Sequence, residues 1–385
     1  MIYLDNAATT PMRTEVIEAI AECMKSTYGN PSSTHSFGRK AKSLVENARK
    51  TIAKELNVSA SEIIFTSGGT EADNLVIQSC VKDLGVEHII TTRIEHHAVL
   101  NAVEHVEEKF GTKVTYLALD EHGNPDLTQL AVELAKSELK TLVSLMHINN
   151  EIGNMLDIEK VAHLCQQNKA LFHSDTVQSV GHFKLNLQVL PIDFLAVAAH
   201  KFHGPKGVGF AFIRKGHKLK ALIHGGSQER GFRAGTENVH NIVGMEKAFT
   251  LAYEHLSKDA AYIADLKKYF IQQIQTAIPN VMFNGMSATM EKSTYTLVNV
   301  SLPVPKDKAA LMLFQLDLKG IACSKGSACQ SGSDQGSFVL NAIYDEERLQ
   351  YPGLRFSFSH YNTKEEIDHV IEVLAEFCKV EAAVN

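Results

Sequence analysis

The sequence predicts an α/β fold: a large domain with a mainly parallel seven-stranded sheet flanked by helices, followed by a smaller α+β domain. Three observations point to this fold. Short apolar runs alternate with segments of helical periodicity in the first two thirds of the chain, as is typical of a parallel sheet covered on both faces. The chain has 385 residues, more than one ordinary core holds. Beyond Asn238 long helical patterns take over, followed by mixed strands and helices.

Each predicted element follows from its apolar period. The seven strands of the sheet are expected at residues 62–67, 88–92, 113–118, 141–146, 170–175, 193–199 and 207–213, with helices over 96–109, 127–138 and 157–168. The link between the last two strands is too short for a helix, so at least one strand should be antiparallel. In the second domain the patterns predict helices over 238–256 and 259–277 and strands over 297–302, 320–324 and 354–359.

Composition excludes several classes of protein. The net charge is −6 and the basic residues are spread along the chain, which gives no electrostatic footprint for nucleic acid or an anionic membrane. The N-terminus MIYLDNAATTP lacks the features of a signal peptide, and no apolar run approaches the ~20 residues of a membrane span. We therefore expect a cytoplasmic protein. Its six cysteines contain no CxxC pair, so free thiols are expected.

Polar residues gather where the predicted strands end. Ligands of open α/β sheets bind beyond the carboxyl ends of the strands, so these residues are candidates for a site. After the first strand, FTSGGTEADN opens a helix whose start can hold a phosphate, although a simple helix cap is the alternative. The other candidates at strand ends are His96, His97, Asn149, Asn150, Asp175 and Gln178.

The segment AVAAHKFHGPKGVG places Lys201 at the end of a buried strand. A lysine kept from water has a lowered pKa and can form a Schiff base. A lysine that reaches the surface is the alternative for this residue taken alone.

Two nucleotide-binding interpretations and a metal site fail. The sequence has neither GxxxxGK[ST] nor a GxGxxG after the first strand, so neither an NTPase nor a dinucleotide enzyme fits. The pairs His96–His97 and His200–His203 lack partner ligands, and we expect no metal.

Cys329 lies in SKGSACQSGSDQGS, where eight of fourteen residues are Ser or Gly. So polar a segment does not form core, which predicts a mobile loop. A cysteine in such a loop is poorly explained by packing, which favours a reactive thiol.

Together these motifs resemble the fold-type I pyridoxal 5'-phosphate (PLP) enzymes of the class V aminotransferase group, and within it the cysteine desulfurases. Blocks similar to that family, in its order, are YLDNAATTP, YGNPSSTHSFG, FTSGGTEADN, EHHAVL, HINNEIG, HSDTVQSVG, AAHKFHGPKGVG, GGSQERGFRAGTENV, GSACQSG and LRFSFSHYNTKEEID. The resemblance extends from residue 3 to about residue 370.

The resemblance implies a role for each matching residue. Lys201 would bind PLP covalently, Asp175 would pair with its ring nitrogen, His96 would stack on the ring and move protons, and Gln178 would bond the phenolic oxygen. Gly69, Thr70 and His200 would hold the phosphate, together with Thr236 of a second subunit. Arg355, helped by Asn150, would clamp the substrate carboxylate, and Cys329 would take the sulfur of L-cysteine as a persulfide. The family also implies a homodimer, a sulfur-acceptor protein such as an iron–sulfur scaffold, a large domain at 13–255, and a small domain of 1–12 with 256–385.

The chain departs from the family in two places. Ala198 stands where a serine usually bonds the phosphate, and Cys323 and Lys325 replace small residues before GSAC; a cation there could favour the Cys329 thiolate. A selenocysteine lyase or an aminotransferase in which Cys329 is idle remains an alternative. So does a non-catalytic docking subunit, against which stands the presence of Lys201, Asp175, His96, Arg355 and Cys329 together.

Overall fold

The structure is a computed structural model that describes residues 1–304, 311–326 and 336–382. Its strands are β1 (Ile2–Tyr3), β2 (Ile63–Thr66), β3 (His88–Thr91), β4 (Lys113–Tyr116), β5 (Thr141–Ser144), β6 (Leu171–Asp175), β7 (Phe194–Ala198), β8 (Gly209–Ile213), β9 (Met282–Phe283), β10 (Leu297–Ser301), β11 (Ile321–Ala322) and β12 (Gly353–Ser357). Its α-helices are α1 (Thr14–Ser26), α2 (Ser36–Glu55), α3 (Gly69–Leu84), α4 (His97–Phe110), α5 (Leu127–Lys136), α6 (Ile158–Gln167), α7 (Val239–Glu254), α8 (Leu256–Ala277), α9 (Met312–Leu318), α10 (Phe338–Ile343) and α11 (Lys364–Ala382).

The predicted seven-stranded, mainly parallel sheet is confirmed. Its strand order is β2-β8-β7-β6-β5-β3-β4. Strand β8 runs antiparallel to β2 and β7, whereas the other neighbours are parallel. The short link that predicted an antiparallel strand is the turn between β7 and β8.

The two faces of this sheet are buried in separate apolar clusters. Adjacent residues of one strand point to opposite faces, so Ile89 belongs to one cluster and Ile90 to the other, as do Leu142 and Val143. Burial on both faces explains why these strands are continuous apolar runs instead of alternating patterns.

A third apolar cluster joins the two ends of the chain. Leu4 packs in it with residues from α8, β10, β12 and α11, among them Phe270, Val298 and Phe356. In the same region β1 pairs in parallel with β11, and β10 lies between β9 and β12 in an antiparallel sheet. The chain's first residues are therefore built into the part formed by its last third, while the domain boundaries stay a prediction.

Element boundaries differ from the sequence pattern by a few residues. Helix α4 begins at His97 because His96 is its N-cap, with Nδ1 accepting the N–H of Ala98 at 3.1 Å. The strand expected over 320–324 pairs with β1 only at Ile321 and Ala322, because Ser324 forms an isolated bridge with Arg355 instead.

Within the described ranges, none of the helices combines the length and apolar character that a bilayer crossing needs.

Candidate active site

A pocket of about 210 Å³ lies at the carboxyl edge of the large sheet. It brings together nine of the residues that the sequence singled out: Gly69, Thr70, His96, Asn150, Asp175, Gln178, His200, Lys201 and Arg355. Thr236 is exposed and does not line this pocket. Cys329 lies outside the described residues.

Asp175 forms the floor of the pocket. It is the last residue of β6, it is buried, and its Oδ1 accepts the N–H of Val177 at 2.8 Å. Burial raises the pKa of this carboxyl, while the nearby His96 and Lys201 lower it. The carboxylate is thus suited to pair with a cation that enters the pocket.

His96 presents a neutral imidazole. Its Nδ1 accepts the N–H of Ala98, so the neutral ring carries its proton on Nε2. Burial lowers its pKa, and Asp175 opposes this shift. The ring can therefore stack on an aromatic ligand, with a neutral Nε2–H directed away from the helix N-cap bond.

Lys201 ends the short 3-10 turn that follows β7. Its Nζ donates to the carbonyl oxygens of Ala7 at 2.5 Å and Ala8 at 2.8 Å. The side chain is partly buried and lines the pocket just beyond the end of β7. The N-terminal segment therefore holds the amine inside the pocket.

The backbone at the start of α3 forms one end of the pocket. Gly68 is the N-cap of this helix and supplies no side-chain cap. A Cβ on Gly69 would lie 2.7 Å from Cγ2 of Val177, so only glycine lets the turn approach the loop after Asp175 this closely. A helix start of this kind offers N–H groups and a positive dipole to an anion.

His200 lies beside this helix start and is uncharged near neutral pH. Its Nδ1 is 3.2 Å from Oγ1 of Thr9. Burial, reinforced by Lys201 and Lys206, lowers its pKa to about 4. It can bond an anion as a neutral donor.

Arg355 forms the wall opposite the sheet. It lies on β12, is 1% exposed, and donates through Nη2 to Oδ1 of Asp5 at 2.9 Å and through Nη1 to the carbonyl of Asn150 at 2.7 Å. Its Nε is buried and has no hydrogen-bond partner. The same is true of Oδ1 of Asn150. Buried polar atoms are normally paired, so both indicate a polar ligand.

Asn149 and Asn150 have different roles although the sequence offered both as candidates. The side chain of Asn149 accepts the N–H groups of Glu151 at 2.9 Å and Ile152 at 3.0 Å and donates to the carbonyl of Ile94 at 2.9 Å. It thereby shapes the loop after β5, and Asn150 is the residue that lines the pocket.

Sequence reasoning missed Asp73, which lines the pocket, and the buried His173 and Glu95 that interact with it. Both carboxylate oxygens of Asp73 lack a hydrogen-bond partner, and its Oδ1 lies 3.3 Å from Nε2 of His173. Burial, then Asp175 and Glu95, raise the pKa of Asp73; burial raises that of Glu95 to about 8. Asp73 lies one helical turn after Thr70 and so shares its face, the one signal that could have found it.

The cysteine and metal predictions can be compared only over part of the chain. The five described cysteines are free thiols. Burial, then Asp5, raises the pKa of Cys323 to about 12, with Arg355 opposing. Among residues 1–304, 311–326 and 336–382, no group of three or more His, Cys, Asp or Glu side chains is placed to hold a metal ion.

Comparison with known proteins gives a consistent result. The family model described as aminotransferase class-V matches residues 2–370. The cysteine desulfurase IscS of Dictyoglomus turgidum is 43% identical, over 97% of this chain and 93% of the relative. A solved structure titled NifS-like protein superposes with a TM-score of 0.89 at 35% identity, covering 98% of this chain and 99% of the other. A second, titled SspA in complex with cysteine, has a TM-score of 0.80 at 30% identity, over 94% of this chain and all of the other.

Proposed function

The chain belongs to the class V aminotransferase family, as one of its cysteine desulfurases, and we propose that the pocket at the carboxyl edge of the sheet is its active site. There it would remove sulfur from L-cysteine with PLP as cofactor. The observation that carries the proposal is the meeting of Lys201, Asp175, His96 and Arg355 around one cavity of about 210 Å³. These residues supply an amine, an anion, a neutral imidazole and a carboxylate-binding cation.

The chemistry of the pocket fits PLP. The amine of Lys201 suits the aldehyde, the buried carboxylate of Asp175 suits the ring nitrogen, and the start of α3 suits the phosphate. In this proposal His96 stacks on the ring, Gln178 bonds the phenolic oxygen, and Gly69, Thr70 and His200 hold the phosphate. When bound, PLP supplies an electron sink for the Cα–H bond of an amino acid.

Arg355 and Asn150 bind the substrate carboxylate in this proposal. Two of the guanidinium nitrogens already donate to Asp5 and to the carbonyl of Asn150, and the unpartnered Nε leaves one edge for a ligand. An arginine edge can bind a carboxylate in a bidentate manner, which a lysine cannot do. The carboxylate would thus fix the amino acid with its Cα toward Lys201.

Proton and sulfur transfer are assigned to two residues. In this proposal Lys201 would take the Cα proton of the substrate, and Asp175 would stay anionic as the partner of the ring nitrogen. The Cys329 thiolate attacks the substrate sulfur, so that the C–S bond breaks and an S–S bond forms. The balance is L-cysteine plus the Cys329 thiol giving L-alanine plus a Cys329 persulfide, without an external oxidant or reductant.

A homodimer completes the proposed site. Thr236 is exposed and does not line the pocket of its own chain, which supports its contact with the phosphate of a second copy. The persulfide would pass its sulfur to an acceptor protein such as an iron–sulfur scaffold, in the cytoplasm.

The decisive experiment uses the Cys329→Ser variant. The holoprotein is incubated with L-cysteine, and alanine, keto acid and sulfur on the Cys329 peptide are measured by mass spectrometry. We expect alanine and one extra sulfur on the wild-type peptide, and neither from the variant, while the visible cofactor band persists in both. Keto acid with unchanged turnover in the variant would identify an aminotransferase. The absence of a cofactor band in wild type would identify a docking subunit.

A further inference from the structure

The segment that leads to Thr236 has an unusual backbone. Glu229 and Arg230 both have left-handed conformations, with φ of 45° and 57°, and Gly231 follows at 85°. Consecutive non-glycine residues in this region are strained and persist only where their surroundings hold them. Strain of this kind is a reason to look for a function.

A buried ion pair holds this backbone in place. Both oxygens of Glu229 are bonded by Arg49, Oε2 by Nη1 at 2.7 Å and Oε1 by Nη2 at 2.8 Å. Both side chains are 2% exposed. A bidentate pair with such burial has a fixed geometry, so the strained turn has one position on the protein.

The same pair is attached to the free edge of the large sheet. Strand β2 is an edge strand, and two of its backbone groups are bonded by the pair: the N–H of Phe65 donates to Glu229 at 2.8 Å, and the carbonyl of Ile63 accepts from Arg49 at 2.6 Å. The pair thus takes the place of a neighbouring strand. Strand β2 runs directly into the helix start that is proposed to hold the phosphate.

A second ion pair ties the segment to that helix start. Arg233 donates through Nε to Oε1 of Glu71 at 3.0 Å, and the other oxygen of Glu71 accepts the N–H of Ser67 at 2.8 Å. Gln228 closes the segment by accepting the N–H of Gly235 at 3.1 Å. Residues 228–235 are therefore fixed to the phosphate-binding turn of their own chain, and the exposed Thr236 comes immediately after them.

We propose that Glu229 and Arg49 are positioning residues for the active site of the second subunit: they hold the strained turn that presents Thr236 to the partner's phosphate. The inference rests on the proposed function, because it needs a dimer and a phosphate contact by Thr236. It assigns a role to a buried pair that touches neither substrate nor cofactor.

The first measurement is the affinity for PLP of Glu229→Gln and Arg49→Lys, by equilibrium dialysis and visible absorbance. Each variant keeps the size of its side chain and loses the bidentate pair. We expect affinity to fall about tenfold, as for loss of a hydrogen bond to a charged group, with the dimer intact by sedimentation. Arg230→Ala is the matched control, since Arg230 lies in the same turn and makes an exposed pair with Glu46 of α2. An equal loss in this control would overturn the specific role of the Glu229 pair.

Hybrid dimers then show which site the pair serves. In a dimer of one Glu229→Gln chain and one Lys201→Ala chain, the remaining Lys201 belongs to the variant chain but receives Thr236 from a chain with intact Glu229. We expect PLP fixed on that lysine by borohydride to follow the wild-type concentration dependence. In the second hybrid one chain carries both substitutions and the other is wild type. The wild-type chain's Lys201 then receives Thr236 from the variant chain, and we expect weaker PLP binding at that lysine.

The outcomes separate this inference from the proposed function. Wild-type affinity in Thr236→Ala would reject the assigned phosphate contact itself. If Thr236→Ala binds PLP more weakly than wild type while Glu229→Gln binds it with wild-type affinity, only the positioning role is overturned. A first hybrid that stays as weak as the Glu229→Gln dimer would show that the pair acts on its own chain's phosphate turn, which also overturns the proposal.

Discussion

The floor and the wall of the pocket hold their functional side chains in different ways. On the floor, Asp175 and Lys201 lie at the ends of adjacent strands, and the bond from Val177 to Asp175 joins residues two positions apart. On the wall, Arg355 depends on Asp5, which is 350 positions away in the sequence, and on Asn150, 205 positions away. The sheet thus places the backbone of the floor residues, although the amine of Lys201 also donates to the carbonyls of Ala7 and Ala8. The wall exists only when both ends of the chain have packed.

Replacing Lys201 by Ala tests the floor and should have the largest effect. The amine is the group assigned to proton transfer, and its loss should lower alanine formation roughly 10⁴-fold, the upper range for such a residue. The sheet fixes the backbone here, but the bonds to the carbonyls of Ala7 and Ala8 are lost, so the free energy of unfolding of the apoprotein should fall by about 1–2 kcal/mol. Alanine formation and urea unfolding are the two measurements.

The control for this prediction is Lys206→Ala, an exposed lysine in the turn after β7. It should keep wild-type turnover. Substantial activity in Lys201→Ala, or an equal loss in Lys206→Ala, would contradict the assignment.

Replacing Arg355 by Lys tests the wall. The cation remains but its planar edge is lost, so KM for L-cysteine should rise about 10²-fold and kcat should change less. This variant should lower the melting temperature more than the floor variant does, because the charged pair with Asp5 is lost together with the bond to the carbonyl of Asn150.

Arg214→Lys is the matched control for the wall. Arg214 also donates to backbone carbonyls, those of Leu187, Leu190 and Ile192, but it does not line the pocket. Its melting temperature should fall while KM stays at the wild-type value. A raised KM in both variants would mean that the effect of Arg355 is structural.

The difference between local placement and long-range contacts also explains which site residues the sequence could predict. Asp175, His96 and Lys201 lie at or shortly beyond strand ends, where the apolar period and a general rule for α/β sheets locate ligands. The bond between Asp5 and Arg355 and the contact between Asp73 and His173 join distant positions. No local pattern encodes them. Asp5 lies within a motif that carried the family resemblance, yet its chemistry became visible only from the fold.

Glu95 makes the stability of the region behind the floor depend on pH, because its pKa is raised by burial. Its pKa is about 8 in the folded protein, against 4.5 as its ordinary value. The folded state holds the extra proton between these values, so its contribution to the free energy of unfolding is lost as pH rises through about 8. In the apoprotein, Glu95→Gln should therefore reduce the loss of stability between about pH 6 and pH 9 by a few kcal/mol.

Urea unfolding of wild type and Glu95→Gln at both pH values measures this difference. The glutamine keeps an acceptor for the N–H of Met146 and can donate to Thr92, the two partners of Glu95. Exposed Glu108→Gln is the control and should follow the wild-type dependence. Parallel curves for all three proteins would show that Glu95 is ionised in the folded state.

The smallest expected effect comes from Ala198→Ser, which adds a hydroxyl to the floor. Ala198 is the last residue of β7, is 2% exposed and lines the pocket beside Gly69. A hydroxyl here could donate to the phosphate, and one hydrogen bond of about 1 kcal/mol would tighten PLP binding roughly fivefold. Ala199→Ser adds the same group to a buried position outside the pocket wall, where it should lower stability and leave the affinity unchanged. If Ala198→Ser binds PLP no more tightly than wild type, the helix start and His200 already satisfy the phosphate, and this departure from the family has no cost.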